Sequence, residues 1–132
     1  MTKTPTATSE PPTPTPQDEG EGCTPGFWKQ SQHFDSWVGY NPSDSFENVF
    51  GVTADLLAGA SLLDALNSGG GGELALGRHA VAALLNSTSP NVDYAFTTAE
   101  VIAKVQNAYA TGNFEGIKNQ FAAENELLCP LN

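Results

Sequence analysis

Apolar side chains are nearly absent from the first residues of this chain and then recur in helical rhythm to its end. Residues 1–22, MTKTPTATSEPPTPTPQDEGEG, hold only Met1 and Ala7 as apolar side chains. From Cys23 onward apolar positions return at the three- and four-residue spacings that line one side of a helix. The densest run is ELALGRHAVAALLNS, at 73–87. It is apolar on nearly every face, which predicts a helix buried on most sides at the centre of a bundle. TAEVIAKVQNAYA opens on a capping box, Thr97-x-x-Glu100, and sets Val101, Val105 and Ala108 in one stripe, with Ile102 and Tyr109 beside it. Gly112 ends it. Asn113 then caps FEGIKNQFAAENEL, with Phe114, Ile117 and Phe121 at i, i+3 and i+7, and Pro130 closes regular structure.

Shorter segments precede these. Thr24 as N-cap and Pro25 at N1 predict a helix running to about Gln32. Ser45 caps FENVF, Thr53 is placed to cap ADLLAG, and Ser61-x-x-Asp64 opens LLDALN, which the glycines after Ser68 stop. No stretch alternates as strands do, and NVDYAF, at 91–96, is at most a short extended piece without a partner. The fold class expected is all-α: a compact bundle of about five or six helices over 23–132. The Thr/Pro-rich tail over 1–22 cannot bury enough apolar surface to offset its ordering entropy, so it is expected to be a disordered stalk or linker.

Charge narrows the function classes. Lys and Arg number 5 against 15 Asp and Glu, a formal net charge of −10. Such acidity argues against nucleic acid and anionic membranes as partners. The longest apolar run is too short, and too interrupted by Gly77, Arg78 and His79, to insert in a membrane. No signal-peptide core is visible, so an export signal is expected outside this chain.

The two cysteines, Cys23 and Cys129, open and close the predicted domain. A bridge between them would close nearly all of it and stabilise it by about 4.7 kcal/mol in the chain-entropy account. With a Thr/Pro stalk, that arrangement points to an oxidising, extracytoplasmic setting. The alternatives are two free thiols, or half of a zinc site completed by His33 and His79, which no C-x2-C or H-x3-H spacing supports.

Candidate chemistry gathers in CTPGFWKQSQHFDSWVGY, at 23–40. Trp28 and Trp37 stand nine residues apart, on opposite faces if one helix carried both. With the helix ending near Gln32, Trp28 is expected in the core beside the cysteines. Trp37 is expected partly exposed, forming with Tyr40 and His33 a ligand or partner surface of the kind that stacks on glycans. Asn41, Asp44 and Glu47 supply hard oxygen ligands for calcium, as do Ser89, Asn91 and Asp93, without matching an EF-hand loop; no other cofactor is expected. Arg78 and His79 interrupt an apolar helix, and a charge there needs a partner. Arg78 is expected to pair with a carboxylate and tether neighbouring loops; the competing reading is that the two line a pocket. Asn86-Ser87-Thr88 is an N-glycosylation sequon, relevant only in a eukaryotic secretory pathway; Asn86 itself is expected, with Trp28, Arg78 and His79, to be structural. No nucleophile elbow is present, and SGGGGELALGR lacks the Lys-Ser/Thr of a P-loop, so it reads as a connection between helices.

Taken together, CTPGFWKQ, HFDSW, LGRHAVAALLN and the closing AEVIAKVQNAYATGNFEGIKNQFAAENELLCPLN resemble a module of secreted and cell-surface proteins of microbes. That module opens with C-T-P-G-[FY]-W-K or T-Q-G-[FY]-W-K, carries an H-A-x-A-A-x-L-N helix and ends in N-E-x-x-C-P-L. The resemblance spans 23–132 and implies a Cys23–Cys129 staple and an extracellular or cell-surface location. The function expected is a non-enzymatic structural or adhesion module whose partner is another surface or matrix protein, or a glycan. The alternatives are a binding domain for glycan or calcium, and a hydrolase using His33 or His79 with neighbouring acids.

Overall fold

A computed structural model describes residues 20–131. Six α-helices and one 3-10 helix follow one another: α1 (Pro25–Trp28), the 3-10 helix Ser31–Ser36, α2 (Phe46–Phe50), α3 (Leu62–Asn67), α4 (Glu73–Thr88), α5 (Thr98–Thr111) and α6 (Phe114–Asn125). Among the described residues there is no strand beyond one isolated bridge between Ser45 and Ser61. The all-α class holds, and the Cys23–Cys129 disulfide joins the ends. The disorder expected of the tail falls, for residues 1–19, outside the described residues.

The apolar run of α4 explains the architecture. Its residues from Ala80 to Leu85 are all sealed from solvent, and α1, α3, α5 and α6 pack around it. One helix thus offers apolar surface in every direction and the others bury one stripe each against it. From α5 the stripe is Val101, Val105 and Ala108; from α6 it is Ile117 and Phe121. Both predicted capping boxes form, at Ser61/Asp64 and Thr97/Glu100, with each side chain and backbone reciprocally bonded. Gly112 ends α5 at φ 79°, and Asn113 accepts from Gly116 N to start α6.

Two predicted helices differ. The first ends at Trp28 instead of Gln32. A longer helix would need the Trp28 carbonyl for the amide four residues on. That carbonyl accepts instead from the Trp37 indole, at 3.2 Å. The chain turns at Gln30, forms the 3-10 helix and returns, stacking His33 on Phe27 with ring centres 3.8 Å apart. The second difference is ADLLAG, which is a turn and no helix. Its amides are drawn to side chains: Ala54 and Gly59 donate to Glu47, and Asp55, Leu56 and Leu57 donate to Glu73. Leu57 then inserts against α4 at Gly77, where a Cβ would overlap its methyl group. Gly77 therefore marks a close approach of this loop to the central helix.

The domain also starts earlier than its cysteine. Glu21 N donates to Asp93 O at 2.9 Å, Asp93 N donates back to the Glu21 carboxylate at 2.8 Å, and Gly22 N donates to Leu128 O at 3.1 Å. Gly22 lies so close to the carbonyl of Glu124 that no Cβ fits.

Candidate functional site

The aromatic stretch is core first. Trp28 is fully buried, as expected, and its indole N–H donates to Asn86 Oδ1 at 3.1 Å. Trp37, expected to be partly exposed, is only 9% exposed. Its indole bond to the Trp28 carbonyl and its edge contact with Phe34 draw it inward, so it offers no open face for stacking. Of the surface placed at Trp37, Tyr40 and His33, the latter two are half-buried, with Val38 exposed between them. One face of His33 is covered by Phe27.

The calcium candidates do not converge. Asp44 turns its carboxylate back to Asn41 N at 2.8 Å, a local turn. Glu47 points the other way, to Ala54 N and Gly59 N at 2.8 and 3.2 Å. Among the described residues no group of three or more His, Cys, Asp or Glu side chains is placed to hold a metal ion. The zinc alternative is overturned, because Cys23 and Cys129 are joined to each other.

Arg78 also departs from expectation. It has no carboxylate partner among the described residues; its guanidinium donates to the Ser68 carbonyl at 3.1 Å. Positive charge at the C-terminal end of α3 suits the helix dipole, so Arg78 still ties two elements together.

The most connected polar group is Asn86, the residue of the glycosylation sequon that is also expected to be structural. Asn86, fully buried in α4, uses all four of its hydrogen-bonding positions. Oδ1 accepts from Cys23 N at 2.9 Å and from the Trp28 indole; Nδ2 donates to Cys23 O at 2.9 Å and to Asn125 Oδ1 at 3.0 Å. The nitrogen that would carry a glycan is thus buried and fully engaged. Asn125, equally buried, also accepts from the Tyr94 hydroxyl at 2.6 Å and donates to His79 O and His79 Nδ1 at 3.1 and 3.2 Å. His79 therefore presents Nδ1 as acceptor, which fits a neutral imidazole. Burial lowers its pKa, helped by Arg78 and Lys118 and opposed by Glu126. Burial also pushes the Tyr94 phenol well above its usual range.

A second buried node is Glu73, at the first position of α4. Besides the three loop amides it accepts from the Tyr109 hydroxyl at 2.7 Å. Burial pushes its carboxyl up, but the bonds from Leu56 N, the Tyr109 hydroxyl, Asp55 N and Leu57 N outweigh that and leave it below its ordinary 4.5. Tyr109 is pushed well above the phenol range, by burial and then by Glu73 itself.

A shallow groove of about 410 Å³ lies where the chain enters the domain, lined by Gly20, Glu21, Asp93, Leu127 and Leu128. None of the predicted ligand residues borders it apart from Asp93. Among the described residues no helix is long and apolar enough to cross a membrane. Glu73, Asn125 and the second role of Glu47 were not singled out by sequence reasoning. The one available signal was an Asn, Asn86, directly after the apolar Leu84–Leu85 pair of the most buried helix. No family model, curated protein or solved structure matches the chain.

Proposed function

We propose that this chain is a non-enzymatic structural module of an extracellular or cell-surface protein, a helical domain closed by a disulfide and held on a Thr/Pro-rich stalk. The observation that carries the reading is the Cys23–Cys129 bridge, which ties together the two ends of the domain. Such bridges form and persist in oxidising compartments. The handling of titratable groups supports it: of the five with perturbed environments among the described residues, Glu73, His79, Tyr94 and Tyr109 are bonded to backbone amides, to Asn125 or to each other as structural ties, and Glu124 is pushed up by burial alone. The resemblance of CTPGFWKQ and NELLCPL to motifs of microbial surface modules points the same way. The partner class it fits is another surface or matrix protein, or a glycan reached through the edge formed by His33, Val38 and Tyr40.

The test is made on intact source cells and their medium. A membrane-impermeant phosphine is applied, followed by a membrane-impermeant maleimide, and mass is read on the captured chain. The reading expects two maleimides after reduction and none before. A chain protected in intact cells and labelled only after lysis, already carrying free thiols, would place it inside and overturn the reading.

A further inference from the structure

Cys23 is gripped on both sides of its own backbone by one side chain. Asn86 Oδ1 accepts from its N–H and Asn86 Nδ2 donates to its carbonyl, each at 2.9 Å, in a site without solvent. The same Nδ2 reaches Asn125, which lies on α6 four residues before Cys129. A second tie runs beside it, from Gly22 N to Leu128 O, joining the residues that immediately precede the two cysteines. Every one of these contacts is independent of the sulfur atoms. Together they set both cysteine backbones within bridging distance, with Cα atoms 4.6 Å apart.

We propose that Asn86 is the positioning residue of this disulfide: it holds Cys23 in register with Cys129 in the reduced, still folded domain, so that the bridge closes between thiols already in place. Hydrogen bonds of this kind, buried and fully satisfied, are the ones that specify a single arrangement. Amide geometry is what the task requires. A two-point grip on the N–H and C=O that flank one Cα needs an acceptor atom and a donor atom a fixed distance apart, which Asn supplies and Ser or Asp does not.

The test uses the full chain in glutathione buffers. Two reduced glutathiones attack in turn: the first opens the Cys23–Cys129 bond to a mixed disulfide and a free cysteine thiol. The second releases the other cysteine thiol and leaves with the first as oxidised glutathione, so two electrons pass from the glutathiones to the protein. The ratio of species, read by mass after alkylation, gives the effective concentration of one cysteine at the other. Asn86→Asp and Asn86→Ser are compared with Trp28→Phe, which removes the indole donor to Asn86 together with part of a buried ring but leaves the Asn86 grip on Cys23, and with Leu84→Val, which trims the same helix and touches no polar group. Each effective concentration is set against the loss of thermal stability of the oxidised form.

Trp28→Phe and Leu84→Val are expected to define one line, and the Asn86 variants to fall at least tenfold below it. Asn86 variants lying on that line would make the residue merely structural and overturn the proposal. A second measurement needs no variant. In the reduced wild-type chain, Cys23 is expected to react with iodoacetamide at least tenfold more slowly than in denaturant, with helical circular dichroism retained. Equal rates, or loss of helicity on reduction, would overturn it as well.

Discussion

Glu73 is a carboxylate with four donors and almost no water, and its environment sets up a definite prediction. Its oxygens accept from three successive amides, at Asp55, Leu56 and Leu57, and from Tyr109. Replacing it by Gln keeps the shape but turns an amide N–H₂ toward those donors. A buried donor left without its acceptor costs about 1–3 kcal/mol, and urea unfolding of Glu73→Gln at neutral pH is expected to show a loss of that order. The pH dependence has a fixed sign. The folded pKa is depressed below 4.5, so the contribution is fully present above 4.5 and is lost as pH falls through the folded value. The gap between wild type and Glu73→Gln is therefore expected to narrow only in acid, below that point. Gly22 makes a second prediction at this scale. A Cβ there meets the Glu124 carbonyl, a backbone atom with little room to give. Gly22→Ala is expected to destabilise by about 1–3 kcal/mol, as overpacking does, while an alanine at the open position Gly69 leaves the urea midpoint nearly unchanged.

Among the elements, the helices that could be read from sequence are those whose signals are local. The boxes at Ser61/Asp64 and Thr97/Glu100, and the stop at Gly112, need only a few neighbouring residues to form. The apolar breadth of 73–87 likewise located the centre of the bundle, and Leu84→Ala there is expected to cost about 2–5 kcal/mol as a core cavity. What could not be read is what distant residues decide. The first helix stops because the indole of Trp37 takes the carbonyl of Trp28, and ADLLAG stays a turn because Glu47 and Glu73 take its amides. Both depend on contacts formed only after the chain has folded back. The exposure expected of Trp37 failed for the same reason. Nothing adjacent to Trp37 in sequence marks it as buried, and nothing adjacent to Asn125 marks it as the partner of Asn86.

The packing of α4 against α6 carries its own pH dependence. His79 faces Asn125 from α4, with Glu126 just past the end of α6, Lys118 on α6 and Arg78 beside it on α4 as the charges that act on it. Its depressed pKa means that the unfolded chain binds the proton more readily. Its contribution is complete above 6.5 and fades as pH falls below that value. Protonation would also set an N–H against the Asn125 amide donor. The melting temperature of the wild type is expected to decline from neutrality through this window, well before the Glu73 range is reached. His79→Gln, which cannot charge, is expected to lose that decline and to show only the opposite, rising trend toward acid that Glu124 contributes, since burial pushes its carboxyl above 4.5. A slope as steep as that of the wild type would assign the window to another group.

For the whole molecule, the topology of the bridge has a mechanical consequence. The chain enters at Gly22 and leaves at Pro130, and the cysteines inside those points are 106 residues apart in sequence but 4.6 Å apart in space. Tension applied to the two ends of the chain passes across the sulfur atoms and bypasses every helix between them. The hydrogen bonds of the bundle are then off the load path, however weak any one of them is. If the disulfide is intact, pulling the full chain by handles at its termini is expected to straighten the flanking residues and yield no further lengthening from the domain. Reduction should put the helices in series with the load. Unfolding would then release on the order of 350–380 Å of contour, the extended reach of the 106-residue span. Optical tweezers with and without a phosphine in the buffer separate the two cases. A release of that size from the oxidised chain would mean the ends are not covalently closed, and would remove the observation on which the surface-module reading stands.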